Sequence, residues 1–431
     1  MTQRSRTNDS SFYLPTMSES YDVVIAGAGP AGAQCARDLA TRGHDVVLLE
    51  TEAEAEFPRA SNKSTAGTFP STMTTFNIPD EVVMHFTDDV VVESPNDAYK
   101  YSQTGAVLEF ADFKNWLVDE GRKEGAEYRF DSRVTKPLME GGEIVGVVAN
   151  GDDEVRGDIV VDATGPSAPL ARKLGVVDLE RQNQAIGIEY EFTGIDTDAD
   201  GYADVSDAMM LRLDHDIAPG GYSWIFHTGE DTAKVGVCYL QNEAHTSNAR
   251  DGFTIDDYLE YWLDTDPRFA EAERIEGKQH RGSAHIQMPA SLSTDNFMAI
   301  GDTVPTLDPL WGEGIDKCMR SGRVAAATAD SCLTHRDRDT SADQMSVYDR
   351  LWHRDVAPDM RKRLVMTELL YLSSNERYDD LIEDLKGSDA EIAKNANRGK
   401  LWSMLHLLKR EDVPVLAKYA QMQLERRFDF L

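Results

Sequence analysis

The chain has 431 residues, with 76 acidic side chains against 44 basic ones and a formal net charge of −32. That length exceeds one ordinary core and predicts two or three joined lobes, while the charge opposes binding to nucleic acid or anionic membranes in dilute salt. In molar salt the Debye length falls to about 3 Å, so such a surface ceases to repel itself and stays hydrated; the composition is that of a halophile.

Residues 1–20 are polar, lack an apolar signal core and read as a disordered extension, with Met17 a second candidate start. An apolar strand, Val23 to Ala26, then runs into Gly27, Gly29 and Gly32. A helix-like run ends near Gly43, and a second strand, Val46 to Leu49, ends in Glu50. Gly27 permits the tight turn, Gly29 lets backbone approach a pyrophosphate, and Gly32 lets the helix pack on the strand. Glu50 stands where an acid accepts hydrogen bonds from an adenosine ribose, so the segment predicts a dinucleotide site.

Residues 61–103 read as a loop followed by strands at Val90–Glu93 and Tyr99–Gln103. Residues 104–178 hold a helix around Trp116, a strand at 144–149, and a buried strand from Asp158 that ends in Ala163-Thr-Gly165, where small residues allow a ligand close to the backbone. From 179 to 291 the chain alternates like an antiparallel sheet: Ala185–Phe192, Ala208–Leu213, Tyr222–His227 and Ala233–Leu240. A helix near Ile255–Asp264 and a strand near His280–Gln287 follow. Tyr222 and Trp224 share one strand face and are candidates to line an apolar tunnel. His227, His280 and His285 read as structural histidines.

The strand Asn296 to Asp302 ends in Gly301-Asp302 and leads to Trp311-Gly312-Glu-Gly314-Ile315. An acid at that strand end suits a ribityl hydroxyl, and the helix starting near Gly314 points its positive end where a flavin gathers negative charge. The rest of the chain is helical in pattern, with Leu364, Leu369, Leu370 and then Leu401, Leu405, Leu408 at helical spacing. Within it, Met360–Tyr371 is basic and apolar, a candidate peripheral membrane contact. The four cysteines, Cys35, Cys238, Cys318 and Cys332, form no Cys-x-x-Cys pair, so neither a metal site nor a disulfide framework is expected. No apolar run approaches the roughly 18 residues a span needs, and a cytoplasmic protein is expected.

These motifs together resemble the geranylgeranyl reductase family of FAD-dependent oxidoreductases, within the p-hydroxybenzoate-hydroxylase-like flavoprotein superfamily. The resemblance runs over about residues 21–385. It rests on Gly-Ala-Gly-Pro-Ala-Gly at 27–32, Phe57-Pro-Arg59, Asp162-Ala-Thr-Gly165, Pro219-Gly-Gly-Tyr-Ser-Trp224, Gly301-Asp302, Gly312-Glu-Gly-Ile315 and Ser321-Gly-Arg-Val-Ala-Ala326. It implies an α/β fold: an FAD-binding Rossmann-like βαβ domain split over 21–60, 104–178 and 292–335, a substrate-binding antiparallel sheet domain from 61–103 and 179–291, and a helical region over 336–431. FAD would be held by Gly27, Gly29, Gly32, Glu50, Gly165, Gly301, Asp302, Gly312, Gly314 and Ile315. Tyr222, Trp224 and Trp311 would face the substrate, with Tyr222 a candidate proton donor.

The implied activity is reduction of isoprenoid double bonds in membrane lipids or their precursors, in archaea those of geranylgeranyl chains. Two alternatives share the fold: an FAD-dependent monooxygenase and a non-catalytic prenyl-binding protein. No second glycine-rich fingerprint marks NADPH, so NADPH and a ferredoxin both stand as electron donors. The chain departs from the family at Ser64, where a cysteine is common, at Glu109-Phe110, where an arginine is common, and at Gly236-Val-Cys238 in place of Gly-x-Gly.

Overall fold

The computed structural model describes residues 20–60, 62–336, 338–387, 409 and 412–428. The expected extension over residues 1–19 and the leucines at 401, 405 and 408 lie outside the described residues. In chain order the elements begin β1 Ser20–Ala26, α1 Pro30–Thr41, β2 Val46–Leu49, β3 Gly67–Thr68, α2 Pro70–Phe76, β4 Val83–Glu93, β5 Ala98–Leu108 and α3 Phe110–Lys123. They continue β6 Glu127–Arg129, β7 Val134–Glu140, β8 Glu143–Ala149, β9 Asp153–Asp162, α4 Pro169–Lys173, β10 Gln184–Thr193, β11 Ala208–Arg212, β12 Gly221–Gly229 and β13 Thr232–Leu240. Next come α5 Glu243–Thr246, α6 Ile255–Thr265, β14 Glu273–His285, β15 Ser293–Thr294, β16 Phe297–Ala299 and α7 Ile315–Thr334. The chain closes with α8 Ala342–Leu351, α9 Met360–Tyr371, α10 Asn375–Gly387 and α11 Val413–Phe428.

Two sheets carry the molecule. The first runs β15-β16-β9-β1-β2-β6, with the β7–β8 hairpin attached to the start of β9. Its central strands are parallel: Val23 pairs with Val46 on one side and Ile159 on the other. Such strands are covered on both faces, which is why β1 and β2 are continuous apolar runs instead of alternating ones. Strand β9 changes partner along its length, pairing antiparallel with β8 through Asp153–Arg156 and parallel with β16 through Val160–Asp162.

The second sheet runs β14-β10-β13-β12-β11-β4-β5-β3, antiparallel except where β11 meets β4. One face is covered by α6, whose Tyr258, Leu259 and Trp262 are fully buried. That helix starts at a capping box, Thr254 and Asp257 each bonding the other's backbone N–H. Beyond that helix, Arg268 lies fully buried between Glu93 and Asp266.

Three boundaries differ from expectation. Ser20 belongs to β1, pairing with Arg156, because the parallel sheet extends past the apolar run. Residues 104–108 belong to the second sheet, since β5 continues to Leu108 and pairs with both β4 and β3. The last long strand starts at Glu273, well before His280, because its early residues are mostly exposed and charged and show no alternation. Between the sheets, α7 packs on α1. A side chain at Gly322 would put its Cβ 2.3 Å from the Ala31 carbonyl oxygen, so glycine alone allows that crossing. No helix among the described residues is long and apolar enough to cross a membrane.

Candidate active site

The β1–α1 turn is built by steric necessity. Gly27 has φ +101°, and a Cβ there would lie 2.5 Å from the Ala163 carbonyl oxygen. A Cβ on Gly32 would lie 2.1 Å from the Gly27 carbonyl oxygen. Gly29 is different: nothing of the protein lies within 4 Å of a Cβ placed there. The first and third glycines therefore close the turn, and the second leaves space above the start of α1, the cradle a pyrophosphate requires. Glu50 accepts a hydrogen bond from the Ala28 N–H at 2.8 Å and another from the Glu52 N–H at 3.0 Å. It thus ties the end of β2 to the glycine turn.

The second and third segments close on the same space. Asp162 is fully buried and accepts from the Thr164 hydroxyl at 2.6 Å and the N–H groups of Leu170 and Ala171 at 3.1 and 2.9 Å. This fixes the Ala-Thr-Gly turn. The Gly165 N–H reaches the Thr303 hydroxyl at 3.0 Å, joining that turn to the loop after β16. Gly301 has φ +58°, and its N–H donates to Ser321 of α7 at 2.9 Å. Beside it Asp302 has one weak side-chain partner, the Cys318 thiol at 3.7 Å, and burial pushes its carboxyl up to about 6. An under-satisfied carboxyl at this strand end is what a ribityl hydroxyl would satisfy. Gly314 is the N-cap of α7, so the free N–H groups of Ile315 and its neighbours stand at the same edge. Cradle, carboxyls and helix start together fit FAD.

Next to this edge lies a cavity of about 630 Å³ between the loop 311–315 and the second sheet. Tyr222, Trp224 and Trp311 all line it, together with Met209, Leu211 and Phe226. Tyr222 and Trp224 do share a strand face, their rings 5.8 Å apart. Each ring is seated on a glycine. A Cβ at Gly312, where φ is +67°, would meet the Tyr222 hydroxyl at 2.0 Å, and one at Gly236 would meet the Trp224 ring at 2.2 Å. The Trp224 indole N–H donates to Glu189 at 2.8 Å. A Cβ at Gly236 would also lie 2.6 Å from the Ile188 carbonyl oxygen, so Gly236→Ala is expected to displace Trp224 and strain the β10–β13 pairing, slowing turnover of a bulky apolar substrate while the protein keeps its flavin; flavin content and turnover measured side by side check this.

Burial, then Cys238 and Tyr371, push the Tyr222 phenol well above its ordinary range. A phenol held so firmly protonated suits a hydrogen-bond donor better than an acid. Ser64 lines the cavity, with its hydroxyl accepting from the Ala66 N–H at 3.1 Å. That segment is held by a group not foreseen in the sequence: Lys234, buried in β13, donates to the carbonyls of Thr65 and Leu108, both at 3.1 Å. Its only signal was a lysine inside an apolar strand. Glu109 caps α3 and pairs with Lys278 at 2.7 Å.

Also unforeseen were the charged groups at the cavity wall, Asp308, Glu313, Lys317 and Arg363. Arg363 comes from the basic helix α9 and pairs with buried Asp308 at 2.9 Å. His85, Asp207 and His227 bring three ligand-type atoms within 4.8 Å, but each atom is already committed. His227 Nδ1 accepts from the Asp207 N–H at 3.2 Å, its Nε2 faces the Glu230 carbonyl at 2.9 Å, and His85 Nε2 meets the Asp207 carboxylate at 2.7 Å.

A glycine-turn cradle, an acid at the end of the second strand and a cavity beside the start of α7 are the arrangement of an FAD-dependent oxidoreductase. Comparison with known proteins agrees. Residues 22–186 match the family described as FAD dependent oxidoreductase, and residues 184–278 match the geranylgeranyl reductase catalytic domain. The chain is 71% identical over 405 residues to the digeranylgeranylglycerophospholipid reductase of Haloferax volcanii, covering 94% of this chain and 99% of that one. It is 28% identical to digeranylgeranylglycerophospholipid reductase 2 of Methanopyrus kandleri, covering 92% and 95%. In fold it is similar to a geranylgeranyl bacteriochlorophyll reductase-like protein from Thermoplasma acidophilum, with TM-score 0.75, 23% identity, and coverage of 85% and 91%. The flavin-dependent brominase Bmp2 shares the fold too, with TM-score 0.64, 20% identity, and coverage of 86% and 100%. The chain belongs to the geranylgeranyl reductase family of FAD-dependent oxidoreductases.

Proposed function

We propose that this protein reduces carbon–carbon double bonds in the geranylgeranyl chains of archaeal glycerophospholipids. The observation that carries the reading is the cavity itself: it begins at the loop 311–315 beside the flavin edge and is walled by Tyr222, Trp224, Phe226, Leu211 and Met209. The aromatic and aliphatic side of this wall accepts a prenyl chain, while Asp308, Glu313, Lys317 and Arg363 form its charged side. The likeness to the Haloferax volcanii reductase supports the same substrate class.

In this reading Gly27, Gly29, Gly32 and Glu50 hold the adenosine diphosphate part of FAD. Gly165, Gly301 and Asp302 hold the ribityl chain, and Gly312, Gly314 and Ile315 hold the flavin edge. When bound, FAD supplies the electron pair for the alkene. Tyr222 and Trp224 orient the chain so that one double bond at a time meets the flavin, and Trp311 closes the near wall. NADPH or a reduced ferredoxin delivers the two electrons, and reduction of the flavin by each in turn distinguishes them. A lipid substrate also requires work at a membrane surface. Arg361 and Lys362 of α9 are exposed beside the Arg363 that lines the cavity, which makes this basic and apolar helix the face suited to peripheral contact with a lipid surface.

Expression in a cell that makes unsaturated archaeal lipids tests the reading. Saturated phytanyl-type chains in the lipid extract are the expected result; chains left fully unsaturated, with folded and flavin-loaded protein present, would reject it.

A further inference from the structure

An isolated alkene gains a proton as well as a hydride, and none of the residues assigned so far provides that proton. The identity of the acid rests on the reading of the site as an alkene reductase. We propose that Glu313 is the catalytic acid, delivering its proton to one carbon of the double bond.

Position makes the first argument. Glu313 stands between Gly312 and Gly314, directly before the N-cap of α7, and lines the cavity together with Tyr222 and Trp311. Its backbone carbonyl accepts from the Asp308 N–H at 3.0 Å, which fixes the loop, while its carboxyl makes no hydrogen bond or ion pair with any described residue. The other carboxyl at the cavity wall is engaged. Asp308 pairs with Arg363 at 2.9 Å and accepts from the Leu310 N–H at 3.1 Å, so both its partners are structural. Asp316, the second residue of α7, pairs with Arg320 at 2.7 Å and accepts from the Thr72 hydroxyl at 3.3 Å.

Electrostatics makes the second. The charged groups around Glu313 are Asp308 from its own loop, Asp316, Lys317 and Arg320 from α7, and Arg363 from α9. Burial, reinforced by Asp316 and Asp308 and opposed by Lys317 and Arg363, pushes its carboxyl up to about 7. A carboxylic acid poised there holds its proton in a useful fraction of molecules near neutrality and releases it readily.

The step balances. The alkene π pair takes the proton from Glu313 at one carbon, a hydride from the reduced cofactor arrives at the other, and two C–H bonds replace the π bond. The lipid is reduced, the cofactor is oxidised by two electrons, and the Glu313 carboxylate regains a proton from water.

Single-turnover reoxidation of the reduced enzyme by a geranylgeranyl-bearing phospholipid, in concentrated salt without oxygen, tests the assignment. In the wild type the rate should fall about tenfold per pH unit above about 7. Glu313→Gln should lose about 10²-fold or more and become independent of pH, with flavin spectrum and lipid affinity unchanged, while Glu313→Asp recovers part of the rate with a displaced profile. Infrared difference spectra give a readout apart from activity: a protonated carboxyl band titrating at about 7 in the wild type and lost in Glu313→Gln, beside the Asp302 band that both proteins keep. Glu313→Gln that reoxidises at the wild-type rate with the wild-type pH profile, or a wild type without that band, overturns the assignment and leaves the alkene reading standing. A wild type that yields no saturated product overturns both.

Discussion

Gly27→Ala yields protein without flavin. The residue sits at φ +101°, a region that costs an L-residue about 1–2 kcal/mol on its own. The larger difficulty is space, because the new methyl would lie 2.5 Å from the Ala163 oxygen and 2.9 Å from its carbonyl carbon. Both are backbone atoms of the Ala-Thr-Gly turn, which Asp162 holds through four hydrogen bonds from Thr164, Leu170 and Ala171. Neither side can yield without opening the contact between the glycine turn and β9, and the flavin cradle is made of that contact. Gly29→Ala separates cradle shape from cradle occupancy. Its backbone is ordinary and no protein atom lies within 4 Å of the added methyl. This variant should fold with wild-type thermal stability and still bind FAD more weakly, because the methyl occupies the place of the phosphate. Flavin absorbance after gel filtration, beside a melting curve, checks both.

Arg268→Met should cost about 3–5 kcal/mol, the usual penalty for stranding buried charge. The guanidinium is fully buried and reaches both Glu93 oxygens at 2.8 and 3.0 Å, and Asp266 at 2.8 Å. Glu93 also receives Arg212 at 3.2 Å, and Arg212 goes on to Asp214 at 3.0 Å. Methionine would leave the Asp266 carboxylate with only uncharged partners, such as the Trp262 indole N–H at 3.0 Å, and Glu93 with Arg212 alone. Salt decides between this and a surface effect. Exposed ion pairs fade as the Debye length falls to about 3 Å in molar salt, whereas a buried network is hardly screened. The deficit should therefore persist in concentrated salt, and Glu93→Gln in the same chain should recover part of it in a double-mutant cycle.

What was legible in the sequence was what the backbone imposes locally. The β1–α1–β2 unit shows because two of its glycines answer to contacts of 2.1 and 2.5 Å that any side chain would break. Tyr222 and Trp224 could be placed on one face because strand period is two, wherever the strand lies. The helix α2 was missed because Pro70-Ser-Thr-Met-Thr-Thr-Phe76 is rich in threonine, a weak helix former, and is held by burial of Met73 and Phe76 against the core. The beginning of β14 was hidden by its charged, exposed residues.

Long-range pairs left no trace in the sequence at all. Arg268 and Glu93 are 175 residues apart, and Arg363 reaches Asp308 across 55. That second pair decides which cavity carboxyl is engaged and which is left for chemistry. In the sequence Glu313 was one of 76 acids, distinguished only by the glycines on either side. The departures from the family pattern also acquire places: Ser64 lies on the cavity wall, whereas Glu109 is spent on capping α3 and on Lys278.

The most direct measurement takes the enzyme in concentrated salt, reduces its flavin without oxygen, and adds a geranylgeranyl-bearing glycerophospholipid. Return of the oxidised flavin spectrum, together with product lipid heavier by two hydrogens for each flavin reoxidised, is the expected result. A flavin that stays reduced until air is admitted, with the lipid unchanged in mass, would contradict alkene reduction at this site.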